Sequence, residues 1–327
     1  MPPPQAAIDH YKTQQQAAAQ TVAATQRLWA RVSAANLDSS WSSVLSALLA
    51  AVISGQVLAV SEVDAYIDDV LAEQALPSSP VGPLAVAAFA GVAGDGWPLG
   101  DMLFGAVTWV KQLIGAGRAP AQALESGGSR LAMLASTAVQ DAGRAAEQVA
   151  IAARPSVAGY VRMLNPPACS RCAILAGRWY RWDAGFDRHP RCDCRSIPAA
   201  ESVADDLTTD PRSYFDSLDE AQQNRIFTSA GAEAIRLGAD LGQVVNARRG
   251  MQTATAYGRK VRSTTEGTSK RGSFGAAERA RVAAITGEDP RSVRLSTPRL
   301  MPETIFELAD GDRAGATRLL QRFGYLA

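Results

Sequence analysis

The chain has 327 residues, 47% hydrophobic and 20% charged, with a formal net charge of +1. That is enough apolar residue for two domains with sizeable cores, and the balanced charge points to no partner class by itself. With two histidines, His10 in a segment expected to fray and His189 among cysteines, a Ser-His hydrolase lacks its base. Charge is uneven along the chain. Residues 1–153 carry seven Lys/Arg against twelve Asp/Glu, a balance of −5, and residues 245–299 carry twelve against four, a balance of +8. The basic part suits an acidic or polyanionic partner.

Abundant alanine and sparse aromatics favour helices. No secretory signal is expected, since the first residues lack a basic region followed by an apolar one. A first helix is predicted over Ile8–Asn36. Asp38 or Ser39 is placed to cap a second, running from Trp41 to about Leu58. The uncharged segment Ser39–Ser61 has the length of a membrane span. Its serines, Gln56 and the absence of a flanking Lys/Arg cluster favour a buried helix and no membrane partner. Ser61 is placed to cap a third helix, with Val63, Ile67, Val70 and Leu71 on one face. Helices are also predicted over Leu84–Val92 and Met102–Ile114, then from Pro120, with an Ala-rich stretch over Ser129–Ala153. Trp29, Trp41, Trp97 and Trp109 read as packing anchors.

Arg154-Pro155 is the candidate boundary, giving a helical assembly domain over 1–153 and a second domain over 154–327. A strand over Val157–Leu164 leads into residues 165–198, which hold all four cysteines. The pattern is Cys169-x2-Cys172, sixteen residues, then His189-x2-Cys192-x-Cys194. Two such knuckles read as a tetrahedral zinc site. Cys169 and Cys172 supply two ligands, and His189, Cys192 and Cys194 compete for the other two. Two disulfides or free thiols are the alternatives. Neither the deaminase pattern nor H-E-x-x-H is present, so the site reads as structural. Arg171, Arg178, Arg181, Arg188, Arg191 and Arg195, interleaved with Trp179, Tyr180 and Trp182, form either a solvated rim or a surface for nucleic acid.

Beyond the knuckle, Asp210-Pro211 starts a helix, and Ser217 with Glu220 reads as a capping box. The helix that follows turns Ile226, Phe227, Ala230, Ala234 and Leu237 inward and stops at Gly238. Val244–Ala247 is a short strand or a helix end. Residues 257–274 are predicted to be a mobile loop, with Arg259, Lys260, Arg262, Lys270 and Arg271 as candidate nucleic-acid or partner contacts. Two last helices start at Pro302 and at Asp310 or Asp312.

The ordered segments CSRCAILAGRWY, RHPRCDC, PRSYFDSLDEAQQNRIF, AGAEAIRLGADLGQVVNARRGM and LMPETIFELADGDRAGATRLLQRFGYL resemble the MuF-like minor head proteins of tailed bacteriophages, particularly those of actinobacterial phages. The resemblance spans Val157–Leu326. It implies an α+β MuF-like domain with a small zinc knuckle; with the Ala-rich all-α N-terminal half read from composition and pattern, the expected protein is α-rich and two-domain. The resemblance implies a non-enzymatic structural role inside the head at the portal vertex, assembled in the host cytoplasm. The implied partners are the portal protein, the major capsid or scaffolding protein, packaged DNA and further copies of the chain. The alternatives are a nucleic-acid-binding zinc protein and a zinc-dependent enzyme, the latter without an evident acidic pair or nucleophile.

Overall fold

The computed structural model describes residues 3–185, 194–199 and 206–326. It is α-rich with two small antiparallel sheets, and the chain divides into two compact units. The first comprises Met1–Asn165 and Gly177–Thr209, the second Pro166–Ala176 and Asp210–Ala327.

In the first unit, α1 (Gln5–Trp29), α2 (Leu37–Ser61), α3 (Val63–Glu73), α4 (Leu99–Gly115) and α5 (Pro120–Ala152) pack around two apolar clusters. One joins Trp29, Trp41, Leu48, Val52, Leu103, Val110, Leu131 and Val139. Trp41, Val44, Leu48, Val52 and Ala59 run down the buried face of α2. The helical stretch Ala34–Glu73 is long and apolar enough to cross a membrane, and 39% of its most apolar window is buried in the protein. Ser61 does not cap α3: its hydroxyl donates back to the Val57 carbonyl, and α3 continues directly from Glu62.

The N-terminus of α1 does not fray as expected. The Gln5 and Ala6 amides donate to the Glu73 carboxylate at 2.7 and 2.8 Å. A carboxylate from another helix thus takes the place of a local cap and complements the positive end of the helix dipole. Ala7, His10, Gln14, Ala17, Thr21 and Thr25 are buried along α1. Polar residues on that stripe hide its amphipathic signal.

α5 is unbroken through Gly127-Gly128, although each interior glycine costs a helix roughly 1 kcal/mol relative to alanine. A Cβ at Gly128 would stand 2.9 Å from Trp29 Cδ1, so the pair lets the indole lie against the α5 backbone. Trp29 Nε1 donates to the Leu124 carbonyl at 3.1 Å. Trp97, in contrast, is 64% exposed and is no packing anchor. The helix predicted over Leu84–Val92 shrinks to one 3₁₀ turn, Val86–Phe89, between Pro83 and Gly91, whose φ is +80°.

The second apolar cluster of this unit holds Ile67, Val70, Leu71 and Ile151 together with Tyr160, Met163 and Ile197. The last three belong to a sheet of order β2-β1-β3, built from β1 (Gly159–Met163), β2 (Trp179–Arg181) and β3 (Arg195–Ala199). The boundary expected at Arg154 therefore falls inside the first unit. Arg154 has a fully buried side chain that bonds Asp64 and Asp68 of α3 at 3.1 and 2.6 Å.

The second unit contains α6 (Ser170–Ala173), α7 (Pro211–Ser217), α8 (Glu220–Phe227), α9 (Ser229–Arg236) and α10 (Leu241–Ala247). It continues with β4 (Met251–Ala256), β5 (Arg259–Thr264), α11 (Ser273–Thr286), β6 (Arg299–Leu300), α12 (Pro302–Ala309) and α13 (Arg313–Arg322). Asp210 caps α7 as predicted, accepting from the amides of Arg212 and Ser213 at 3.2 and 2.8 Å. The capping box sits two residues later than predicted: Asp219 accepts from the Gln222 amide, and the Gln222 side chain accepts from the Asp219 amide. Ser217 instead donates to the Tyr214 carbonyl and ends α7. Thr228, at φ +68°, separates α8 from α9, so the single helix expected there is two.

The stretch predicted as a loop over 257–274 contains regular structure: β5 covers 259–264 and α11 begins at Ser273. β4 and β5 pair antiparallel from Met251↔Thr264 to Ala256↔Arg259. Tyr257 and Gly258, both at positive φ (52° and 73°), form the two-residue turn, as the twist of a hairpin requires. Val261, Ser263 and Thr264 are buried, so apolar content alone understates the packing of this stretch. β6 completes the sheet in the order β4-β5-β6.

Candidate functional site

Three places concentrate polar chemistry. The first is the cysteine stretch. Cys169 occupies the N-cap position of α6 and Cys172 lies within that one-turn helix, which places the two thiols three residues apart on one turn. Cys169 is exposed and Cys172 buried. Tyr214 donates to the Ala168 carbonyl and accepts from the Ala168 amide, both at 2.8 Å, pinning the start of the turn. Burial raises the Tyr214 pKa, and the nearby Cys169 and Cys172 thiols add to the rise. Cys194 belongs to the first unit, where it is buried with the Arg162 guanidinium 3.6 Å from its sulfur. His189 and Cys192 lie outside the described residues, as do Arg188 and Arg191. Among the described residues, no three Cys, His, Asp or Glu side chains gather as a metal site.

The knuckle arginines separate by environment. Arg181 pairs with Asp183 at the surface, and Arg178 lies over the Tyr180 ring, 5.6 Å from its centroid. Trp179 and Trp182 are exposed. Arg195 is no rim residue: its side chain is 2% exposed and belongs to the second place, an ionic cluster inside the first unit.

At the centre of that cluster is Glu147 of α5, fully buried. Its carboxylate lies 3.1 Å from Arg195 Nη1 and 3.1 Å from His10 Nε2. The His10 ring stacks on Tyr66, and the Tyr66 hydroxyl donates to the Ser196 carbonyl at 2.7 Å. Burial, and then the Glu147 charge, push the Tyr66 pKa well up, so it remains a neutral donor. The cluster ties α1, α3, α5 and β3 together. Removing one partner of such a buried ion pair leaves an uncompensated charge and is strongly destabilising. The sequence gives no sign of it, because its members are 48 to 137 residues apart along the chain.

The third place is a basic groove in the second unit, a cavity of about 660 Å³ lined by β4, the chain after β5, α11 and the segment 291–299. Lys270, Arg279, Arg291, Arg294 and Arg299 line it, and no described Asp or Glu does. Arg279 is fixed at one wall by the carbonyls of Val293, Thr268, Ser269 and Gly275. Arg299 is buried, donates to the carbonyls of Phe323, Glu266 and Gly324, and stacks 4.4 Å from the Tyr325 centroid. Burial lowers the Arg299 pKa, and it pushes the Tyr325 phenol up to about 12. Of the five basic residues that the sequence singles out, Lys270 lines this groove. Arg259, Lys260 and Arg262 are exposed along β5, and Arg271 is exposed before α11. The sequence does not single out Arg279, Arg291, Arg294 and Arg299, although their place within the +8 segment is an available signal.

Comparison with protein-family models, with curated proteins and with solved structures finds no match to this chain.

Proposed function

We propose that the chain is a structural minor head protein of a tailed bacteriophage, of the MuF-like kind, acting at the portal vertex inside the head without enzymatic activity. The observation that carries this reading is the order of segments from the cysteine stretch to the C-terminal helices. The α-rich architecture is compatible with it. A catalytic centre is not part of the reading. Self-association and docking on portal or capsid are assigned to the helices of the first unit.

A structural zinc belongs to the same proposal. Cys169 and Cys172 suit half of a tetrahedral thiolate site, since they lie three residues apart on one helical turn. Two of His189, Cys192 and Cys194 would complete it. Co-expression with the portal protein of the same phage tests the main reading: the two should co-purify. A portal that assembles without retaining the chain would refute portal docking.

A further inference from the structure

We infer that the groove bounded by Lys270, Arg279, Arg291, Arg294 and Arg299 binds the phosphodiester backbone of a nucleic acid. The inference deepens the head-protein reading, on which it rests only for the source of the polymer.

Charge balance is the first ground. Some other arginines of the second unit pair with carboxylates, among them Arg212 with Asp216, Arg248 with Glu303, Arg281 with Glu278 and Arg318 with Asp312. None of the five groove cations takes part in an ion pair with a described carboxylate. Of the acids nearest in sequence, Glu266 acts on Arg299 through its charge. Glu278 is held by Arg281, with Arg322 3.8 Å away, and Asp289 accepts from the Arg291 amide. Arg279 and Arg299 bond neutral carbonyls, which fixes their position without cancelling their charge. Concentrating five cations in one concavity whose lining holds no described carboxylate costs energy through mutual repulsion, and a bound polyanion relieves that cost.

The lining also selects among anions. Thr255 and Ser296 add hydroxyls to the lining, while those of Thr265, Thr268 and Ser292 donate to backbone carbonyls, and hydroxyl, Lys and Arg donors are the groups that bond phosphate oxygens. No described aromatic residue lines the groove, so the described lining offers no platform on which a base could stack. Lys270, Arg291 and Arg294 are exposed around its mouth, placed to follow a chain of phosphates. Recognition is therefore through the backbone, independent of sequence, and strongly dependent on salt.

The test uses the full-length chain and a fluorescently labelled DNA duplex, followed by anisotropy across a salt series. The triple variant Lys270→Ala, Arg291→Ala, Arg294→Ala removes exposed side chains and should stay folded. A control, Lys12→Ala, Arg225→Ala, Arg318→Ala, makes the same net-charge change at residues that do not line the groove. The groove variant should bind at least about tenfold more weakly at low salt. The slope of log affinity against log salt should shrink by roughly 0.9 for each phosphate that is no longer neutralised. The control should change neither by much. Equal weakening in the two variants, no duplex binding by the unaltered chain at low salt, or binding of a mononucleotide as tight as that of the duplex would each overturn the assignment. Incorporation into heads is measured separately, so a groove that fails this test leaves the head-protein reading standing.

Discussion

His10 and Tyr66 lie ring on ring, with centroids 3.9 Å apart and planes 4° from parallel. This stack places the His10 Nε2 edge on the buried Glu147 carboxylate and the Tyr66 hydroxyl on β3. The first turns of α1, which as sequence read like a fraying polar end, are thereby fixed to the interior of the first unit.

Removing the acid at the centre should be costly. Glu147→Ala leaves Arg195 buried without its carboxylate and is expected to destabilise the protein by about 3–5 kcal/mol. Urea denaturation of the full chain measures this. A loss below about 1 kcal/mol would show that Arg195 is solvated and that the cluster does not organise the unit.

Gly128→Ala should destabilise despite its higher helix propensity. The added methyl meets Trp29 Cδ1 and Nε1 at 2.9 Å, and overpacking of this kind costs about 1–3 kcal/mol. The midpoint of thermal unfolding should fall. A rise would mean that propensity wins and that Trp29 can move away from α5.

Acid should weaken the second unit in part through the α7 cap. Burial pushes the Asp210 carboxyl up, but bonds from the Ser213 hydroxyl and amide and the Arg212 amide outweigh this, so its pKa lies below the ordinary 3.8. The stability it contributes is present above that ordinary value and is lost as pH falls through the lowered folded value. Asp210→Asn keeps a capping oxygen and removes the charge. Its denaturation midpoint should therefore fall less steeply between neutral and acid pH than that of the unaltered chain. Parallel slopes would exclude the cap as a source of acid sensitivity.

Much of the helical layout is legible in sequence because its signals are local. The Val63, Ile67, Val70, Leu71 spacing marks α3, Pro120 marks the start of α5, and Asp210-Pro211 marks α7. What sequence conceals is tertiary. The cap of α1 comes from Glu73, and the interior place of Arg154 depends on Asp64 and Asp68. A fragment beginning at Arg154 would lose those carboxylates and the α3 and α5 packing of β1 and β3. It is therefore unsuited to represent a separate domain. Composition conceals the β4–β5 hairpin, since Lys, Arg and Thr read as a loop. Its register and the positive φ of Tyr257 and Gly258 define a two-residue turn. Within the groove, Lys270 is legible from the basic run. Arg279 and Arg299 are not, because folding alone brings α11 and β6 to the same cavity.

The zinc reading predicts about one zinc per chain in protein purified under reducing conditions. Cys172→Ser should lower both the metal content and the unfolding midpoint. Metal-free protein carrying two disulfides by mass spectrometry would replace the zinc with the alternative pairing.

The central proposal is a structural place in a phage head, and quantitative mass spectrometry of purified particles from the phage proposed to encode the chain tests it most directly. The account predicts the chain in DNA-filled heads at low copy relative to the major capsid protein, retained with the portal vertex when heads are disrupted. Its absence from the particles, with the protein abundant in the infected cell, would contradict the account.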